Sequence, residues 1–421
     1  MRRHGPQSLV FRRRIAITAG AVSIGLMALI FARASDAVSE QFVGLAHQYT
    51  YLPLLLTPIG FVLIVYVTNR FAPLSRGSGI PQVIAAKSNP SMAATALVSM
   101  KTAVLKAILT LAALFCGASV GREGPTVQLA AALMARWHKL MHAPMRASMI
   151  IAGGAAGVAA AFNTPLAGIA FAIEELAAAY EQRMTLLVMT AILLSGMIAQ
   201  GLMGDYLYFG VTGAALPFMS AIIVAPLAGI AGGIGGGCFS RLVLGAARAD
   251  NAPMRWSRAN PLMFAGICGA VVAVLGVFTQ LTWGTGYLPA RYMIEGVHAP
   301  LWFGFAKFAT TAATAVAGLP GGIFAPSLAT GAGFGNLLRP LFPGEPASAV
   351  VLLGMVAYFT GVVRAPLTAV IIISETTVSR GLMLPMLGAA LIANQSSQLV
   401  CKDKLYNALA LTFGTRGADD D

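Results

Sequence analysis

Two acidic positions set inside apolar sequence mark where this chain could do chemistry. Glu123 lies in the run Gly121 to Pro125 (GREGP), and Glu174 and Glu175 follow the apolar run from Pro165 through Ile173. An ionisable side chain at bilayer depth costs about 2.5 to 3.5 kcal/mol on insertion scales, so it is kept for function or for pairing. For Glu123 the pairing partner would be Arg122, in a salt bridge that merely holds the loop. Adjacent residues at a helix start point different ways, however, and need not meet. A carboxylate beside an anion site competes with the anion: ionised, it can occupy the site, and protonated, it must withdraw. Glu123 is thereby a candidate gate and proton carrier. Glu174 and Glu175 are expected on one helix, before Ala177 to Tyr180, about 100° apart. One can face the interior while the other bonds elsewhere, and a second buried carboxylate is what a proton path away from Glu123 would need. A solvated pair at a helix end is the alternative.

A small anion would need donors near these carboxylates. Glycine and proline clusters inside apolar sequence mark broken helices, which survive at membrane depth only where they line a cavity or are buried in protein. Such breaks fall at Gly77 to Pro81 (GSGIP, with Gly77, Ser78 and Gly79), at GREGP, at Gly321 to Pro326 (GGIFAP) and around Tyr406. The first three read as a loop entering a helix, because Pro is tolerated in a first turn. A helix start presents unpaired N–H groups and partial positive charge, an anion site that needs no fixed cation. Partial charges also release an anion more readily than a buried Lys or Arg would. Ser78 is either a direct hydroxyl ligand or an N-cap on its own helix; Gly321 and Gly322 are either part of such a site or packing glycines.

The elements that must position these groups are membrane helices. The chain has 421 residues, 57% of them hydrophobic and 10% charged, a composition that excludes a water-soluble fold. Apolar stretches near the 20 or so residues that cross a bilayer include Ile15 to Ala32, Tyr51 to Val67, Thr185 to Met203 and Leu262 to Phe278. They are continuous rather than alternating, which argues for an all-α integral membrane protein and against a barrel. The net charge of +13 fits membrane topology better than nucleic acid. Arg2, Arg3, Arg12, Arg13 and Arg14 precede the first apolar segment, and Lys402, Lys404 and Arg416 follow the last, so both ends are expected in the cytoplasm, with an even number of crossings. The segment from Ile15 is too long for a cleaved signal peptide. Cys116, Cys238, Cys268 and Cys401 show no paired spacing, and no metal or cofactor is expected.

Three landmarks recur in order along the chain. Gly77, Ser78 and Gly79 match Gly284, Thr285 and Gly286; the run from Gly121 matches the run from Gly321; and Pro165, Leu166 and Glu174 match Pro366, Leu367 and Glu375. The offsets are 207, 200 and 201 residues. Duplicated halves are the economical explanation, and in transporters such halves commonly meet at a mid-membrane substrate site. The expected division is a first repeat over about 15–204, a second over about 218–400 and a C-terminal helix over about 403–413. The boundary falls where Gly204, Asp205, Gly213 and Pro217 interrupt the pattern.

GSGIP, GREGP and GGIFAP in this order, with AAFNTPLAGIAFAIEE at 160–175 and KLYNAL at 404–409, resemble the CLC family of chloride channels and chloride/proton antiporters, over about Ile15 to Thr412. The resemblance implies a CLC-type fold of two inverted halves with many tilted and broken helices. It also implies a homodimer in a plasma or inner membrane, with one anion pathway per subunit. On the family pattern, Ser78 and Tyr406 donate hydroxyls to chloride, and backbone N–H groups of Ile323, Phe324 and Gly124 complete the site. Glu123 is the gating glutamate, Glu175 is the internal proton relay of the antiporters, and Lys106 adds positive potential. Many relatives carry acidic residues where this chain has Gln82, Val83 and Ile84, which bears on proton coupling. Nucleotide-binding CBS modules have no counterpart in this sequence, and regulation through them is not expected. Ser78 favours chloride over nitrate or fluoride. The function expected is chloride/proton antiport, with a passive chloride channel or exchange of another halide such as fluoride as alternatives. A hydrolase using Glu123 as base lacks a nucleophile or metal partner.

Overall fold

The computed structural model describes residues 6–88, 90, 96–143, 146–176, 182–204, 208–297 and 299–414. Arg2, Arg3, Ala177 to Tyr180, Asp205 and Arg416, named above, lie outside the described residues. Among the described residues there are eighteen α-helices and no β-strand. The first half carries α1 (Pro6–Gln48), α2 (Pro53–Phe71), α3 (Ile80–Ala86), α4 (Met100–Phe115), α5 (Glu123–Leu140), α6 (Ala147–Phe162), α7 (Pro165–Phe171) and α8 (Gln182–Met203). The second carries α9 (Phe218–Arg248), α10 (Ala252–Ala259), α11 (Pro261–Thr279), α12 (Tyr287–Ile294), α13 (Phe303–Ala317), α14 (Phe324–Leu338), α15 (Ala347–Val363), α16 (Pro366–Thr377), α17 (Met383–Val400) and α18 (Leu405–Gly414).

Four of these, over Val10–Gln48, Pro53–Phe71, Phe218–Arg248 and Pro261–Thr279, are long and apolar enough to cross a membrane. The expected span Thr185 to Met203 is helical within α8. The other apolar helices are shorter, and two of them form the centre: every residue of α6 after the first is buried, as is every residue of α15 from Ala349 on. Helices whose whole circumference is apolar must be enclosed by others. Accordingly α6 packs against α5, α8 and α1, while α15 packs against α9, α14 and α17. Small residues set these distances, as lipid supplies no hydrophobic drive for association. On α9, a Cβ at Gly233 would come within 2.5 Å of the Ala393 carbonyl of α17.

The internal match is visible as reciprocal contacts. Gly121 and Gly322 form an isolated antiparallel bridge, each N–H donating to the other's carbonyl at 2.7 Å. The sequence comparison aligned Gly121 with Gly321, at offset 200; the bridge sets the register at 201, the same as for Glu174 and Glu375. Those two glutamates also act reciprocally. Glu174 accepts from the N–H of Leu367 (2.9 Å) and Thr368 (2.7 Å) at the start of α16, and Glu375 accepts from the N–H of Leu166 (3.4 Å) and Ala167 (3.0 Å) at the start of α7. Contacts in which i meets j and j's equivalent meets i's are those of a two-fold relation. Each carboxylate satisfies orphan N–H groups and meets the positive end of the helix it caps.

Candidate functional site

Four helix starts are drawn together here: the Gly121–Gly322 bridge joins the approaches to α5 and α14, Gly77 ties the loop before α3 to Gly321, and α18 packs on α3 and brings Tyr406 to Phe324. The loops before them are held without side chains in the way. Gly77 O accepts from Gly321 N–H at 3.1 Å. Gly79 has φ +110°, and a Cβ there would lie 2.6 Å from Gly124 O, so the position needs glycine for conformation and for space. A Cβ on Gly124 would run into Ser78 Oγ and lie 3.1 Å from Gly322 Cα. Gln82 donates from Nε2 to the carbonyls of Leu74 (3.2 Å) and Arg76 (2.7 Å). It therefore braces the loop that presents Ser78, while Ile84 is buried in the main core.

At the centre of this arrangement Ser78 Oγ and the Tyr406 hydroxyl are buried close to one another, and neither makes a hydrogen bond of normal geometry. Ser78 therefore does not cap its own helix: α3 begins with no side-chain cap. The Tyr406 ring lies 5.9 Å from the Phe324 ring, and Phe324 packs in turn on Phe162, Phe171 and Phe359. Arg364 fixes the approach to α18 by donating to Cys401 O (3.2 Å) and Lys402 O (2.5 Å). A buried hydroxyl left unpaired costs about 1–3 kcal/mol, and two facing the same helix starts are donors set for a ligand.

Glu123, the first residue of α5, is fully buried. Its Oε2 accepts from Ala325 N–H (3.4 Å) in the first turn of α14, and its Oε1 from the Tyr287 hydroxyl (2.5 Å). The carboxylate thus rests on the helix start of the other half, where an anion would bind. Arg122 is not its salt-bridge partner. The guanidinium donates to Ala32 O (2.7 Å) and Asp36 (2.6 Å) and lies over the rings of Tyr208 and Tyr287. Glu175 sits in a π-turn, Ala172–Leu176, directly after α7. Glu174 and Glu175 are therefore on helical backbone but not on one α-helix. Glu174 caps α16, whereas Glu175 is buried with neither carboxylate oxygen hydrogen-bonded. They are not a solvated pair. The charges acting on Glu175 are those of Lys404, Lys87, Glu174 and Arg364, at the end of the molecule where the chain enters α18.

Lys106 is buried, with Nζ donating to Ser75 O (2.9 Å) beneath the Ser78 loop. Its counterpart at offset 201, Lys307, donates to Thr282 O (2.9 Å) and Gly284 O (2.7 Å) beneath the second glycine loop. Lys307 is legible in the sequence only through the repeat offset, and Tyr287, the residue after Gly286, carries no charge to mark it out. Cys116, Cys268 and Cys401 are buried and Cys238 is exposed, all as free thiols.

A helical membrane chain whose broken helix starts meet at its centre has the architecture of a membrane transporter. This chain belongs to the voltage gated chloride channel family, whose profile matches residues 59–398. The H(+)/Cl(-) exchange transporter ClcA of Salmonella agona (strain SL483) is 29% identical over 420 residues, spanning 94% of this chain and 87% of that protein. ClcA of Yersinia pestis bv. Antiqua (strain Angola) is 30% identical over 427 residues with the same coverage. Among solved structures, a slow cyanobacterial Cl−/H+ antiporter matches with a TM-score of 0.82 at 21% identity, over 97% of this chain and 99% of that one. A CLC-type fluoride/proton antiporter matches with a TM-score of 0.77 at 21% identity, over 94% and 97%. The fold is that of the CLC transporters.

Proposed function

We propose that this chain exchanges chloride for protons across a membrane, with Ser78, Tyr406 and the N–H groups of Gly124, Ile323 and Phe324 binding the anion. The observation that carries this is the pair of buried, unpaired hydroxyls of Ser78 and Tyr406 among helix starts, one of which already holds a carboxylate. Glu123 alternates between that position and a protonated, withdrawn one. Glu175, whose oxygens are free of hydrogen bonds, passes the proton on toward Lys404 and Arg364. Lys106, Gly77, Gly79 and Arg122 support the site. Full separation of the two glutamates' roles also explains why a passive channel is the weaker reading, since a channel has no use for a second buried carboxylate.

The relatives named as H(+)/Cl(-) exchange transporters support the substrate pair. Two inverted repeats over about 15–204 and 218–400, a homodimer in the inner membrane, and both ends in the cytoplasm near Arg12 to Arg14 and Lys402 to Lys404 complete the reading. Its test is coupled flux in vesicles. An imposed chloride gradient should drive protons uphill, and Glu175→Gln should stop proton movement while chloride still moves. Chloride flux without proton flux in the unmodified chain, with a reversal potential indifferent to pH, would make it a channel instead. Fluoride moved in preference to chloride would displace the chloride assignment.

A further inference from the structure

The hydroxyl that holds the Glu123 carboxylate comes from Tyr287, the first residue of α12, and nothing in the charge pattern of the sequence pointed to it. Its bond to Oε1 and that of Ala325 N–H to Oε2 tie the carboxylate to the second half, beside a bond from the N–H of Glu123 itself. The phenol ring is fixed by packing. Tyr208 stacks on it with centroids 5.1 Å apart and an interplanar angle of 28°, Phe209 meets it edge-on at 5.3 Å, and the Arg122 guanidinium lies 5.7 Å from its centroid. Arg122 is itself anchored by Ala32 and Asp36. A hydroxyl on so constrained a ring is aimed, and a charge-assisted bond is roughly twice as strong as a neutral one.

We propose that Tyr287 is a positioning residue that latches the Glu123 side chain at the start of α14 and so sets how readily an anion displaces it. The proposal rests on reading Glu123 as the gate. A phenol suits the task because it donates to a carboxylate, and protonating Glu123 removes the charge that strengthens this bond, so the latch holds the ionised side chain and releases the protonated one. The first-half residue after its glycine loop is Ile80, which has no hydroxyl. The latch therefore belongs to one half only.

The test is chloride binding by calorimetry on the purified full chain, in a double-mutant cycle. Tyr287→Phe keeps the ring and removes the hydroxyl. With Glu123 present it should tighten chloride binding about tenfold, the worth of one hydrogen bond to a charged group, because the competing carboxylate is released. In a Glu123→Ala background the same change should leave chloride affinity unaltered. Tyr287→Leu, a second way of removing the hydroxyl, should show the same dependence on Glu123. In vesicles the Phe variant should raise chloride turnover relative to proton movement. No shift with Glu123 present, or an equal shift in both backgrounds, would overturn the latch and leave Tyr287 a packing residue. Should Glu123→Ala alone change neither chloride binding nor proton movement, the gate reading fails, and that result is separate from any result at Tyr287.

Discussion

The two halves share a frame and differ in what is set into it. At an offset of 201 residues, Lys106 and Lys307 each brace a glycine loop, and Glu174 and Glu375 each cap a helix of the other half. Asn163 (φ 59°) and Arg364 (φ 58°) each end a helix in the left-handed region, two residues before a proline. At the same offset Glu123 stands against Phe324, and Gly124 against Ala325. Features that hold the fold are thus duplicated, and the groups that could bind or carry a proton are not. Two opposed helix starts can flank one anion, whereas exchange of an anion for a proton needs distinguishable positions, which identical halves cannot supply.

The comparison is sharpest at Glu123 and Phe324. On the proposed reading Glu123→Gln removes the proton-carrying carboxylate and should cut proton movement in vesicles by at least ~100-fold, the scale of a positioned proton carrier. Phe324→Leu, at the equivalent place, should lower chloride turnover only a few-fold, since its ring is core packing. Equal effects on proton flux would erase the distinction between the halves. The next pair is Gly124 and Ala325. Gly124→Ala would make the halves alike, but its Cβ would meet Ser78 Oγ and stand 2.6 Å from Ser78 O. We expect a loss of roughly 1–3 kcal/mol in detergent melts with impaired chloride binding, against about 1 kcal/mol for Ala325→Gly.

Smaller effects separate the glycine loops and the caps. Ser78→Ala should weaken chloride binding roughly tenfold, one hydrogen bond to a charged group, while Thr285→Ala at the matching place should change it by less than about twofold. Calorimetry distinguishes these outcomes. Glu174→Ala loses two N–H acceptor contacts and the Thr368 hydroxyl bond (2.7 Å). It should lower stability by about 2 kcal/mol, near the upper range for partly buried dipole partners. Glu375→Ala, whose contacts are longer, should cost about 1 kcal/mol. A reversed order would mean that the shorter bonds are not the stronger ones here.

Much of this was legible in the residues themselves. Continuous apolar runs required helices in a bilayer, and the glycine and proline breaks showed where helices start. Both buried carboxylates stood out because charge is costly in that medium. Tyr287 and Lys307 were not picked out, for different reasons. A tyrosine in apolar sequence looks like packing until its hydroxyl is seen to reach Glu123, and a lone lysine gains meaning only beside its counterpart. The register at Gly322 was missed by one residue, because two adjacent glycines look alike to a pattern and only the bridge to Gly121 tells them apart. The π-turn at Ala172–Leu176 was hidden for a similar reason, since local sequence does not distinguish it from an α-helical turn.

By itself, the sequence determined the membrane environment, the helical class, the duplication and the residue types able to meet an anion and a proton, because these follow from composition and spacing. Tertiary structure alone decided the partners. It paired Arg122 with Asp36 rather than Glu123, sent Glu174 to a helix 193 residues away while leaving Glu175 unbonded, and brought the Ser78 and Tyr406 hydroxyls together without a hydrogen bond of normal geometry. Those outcomes depend on which helix starts are brought within about 3 Å, and hydrogen bonds fall off too steeply with distance and angle for sequence separation to foretell them.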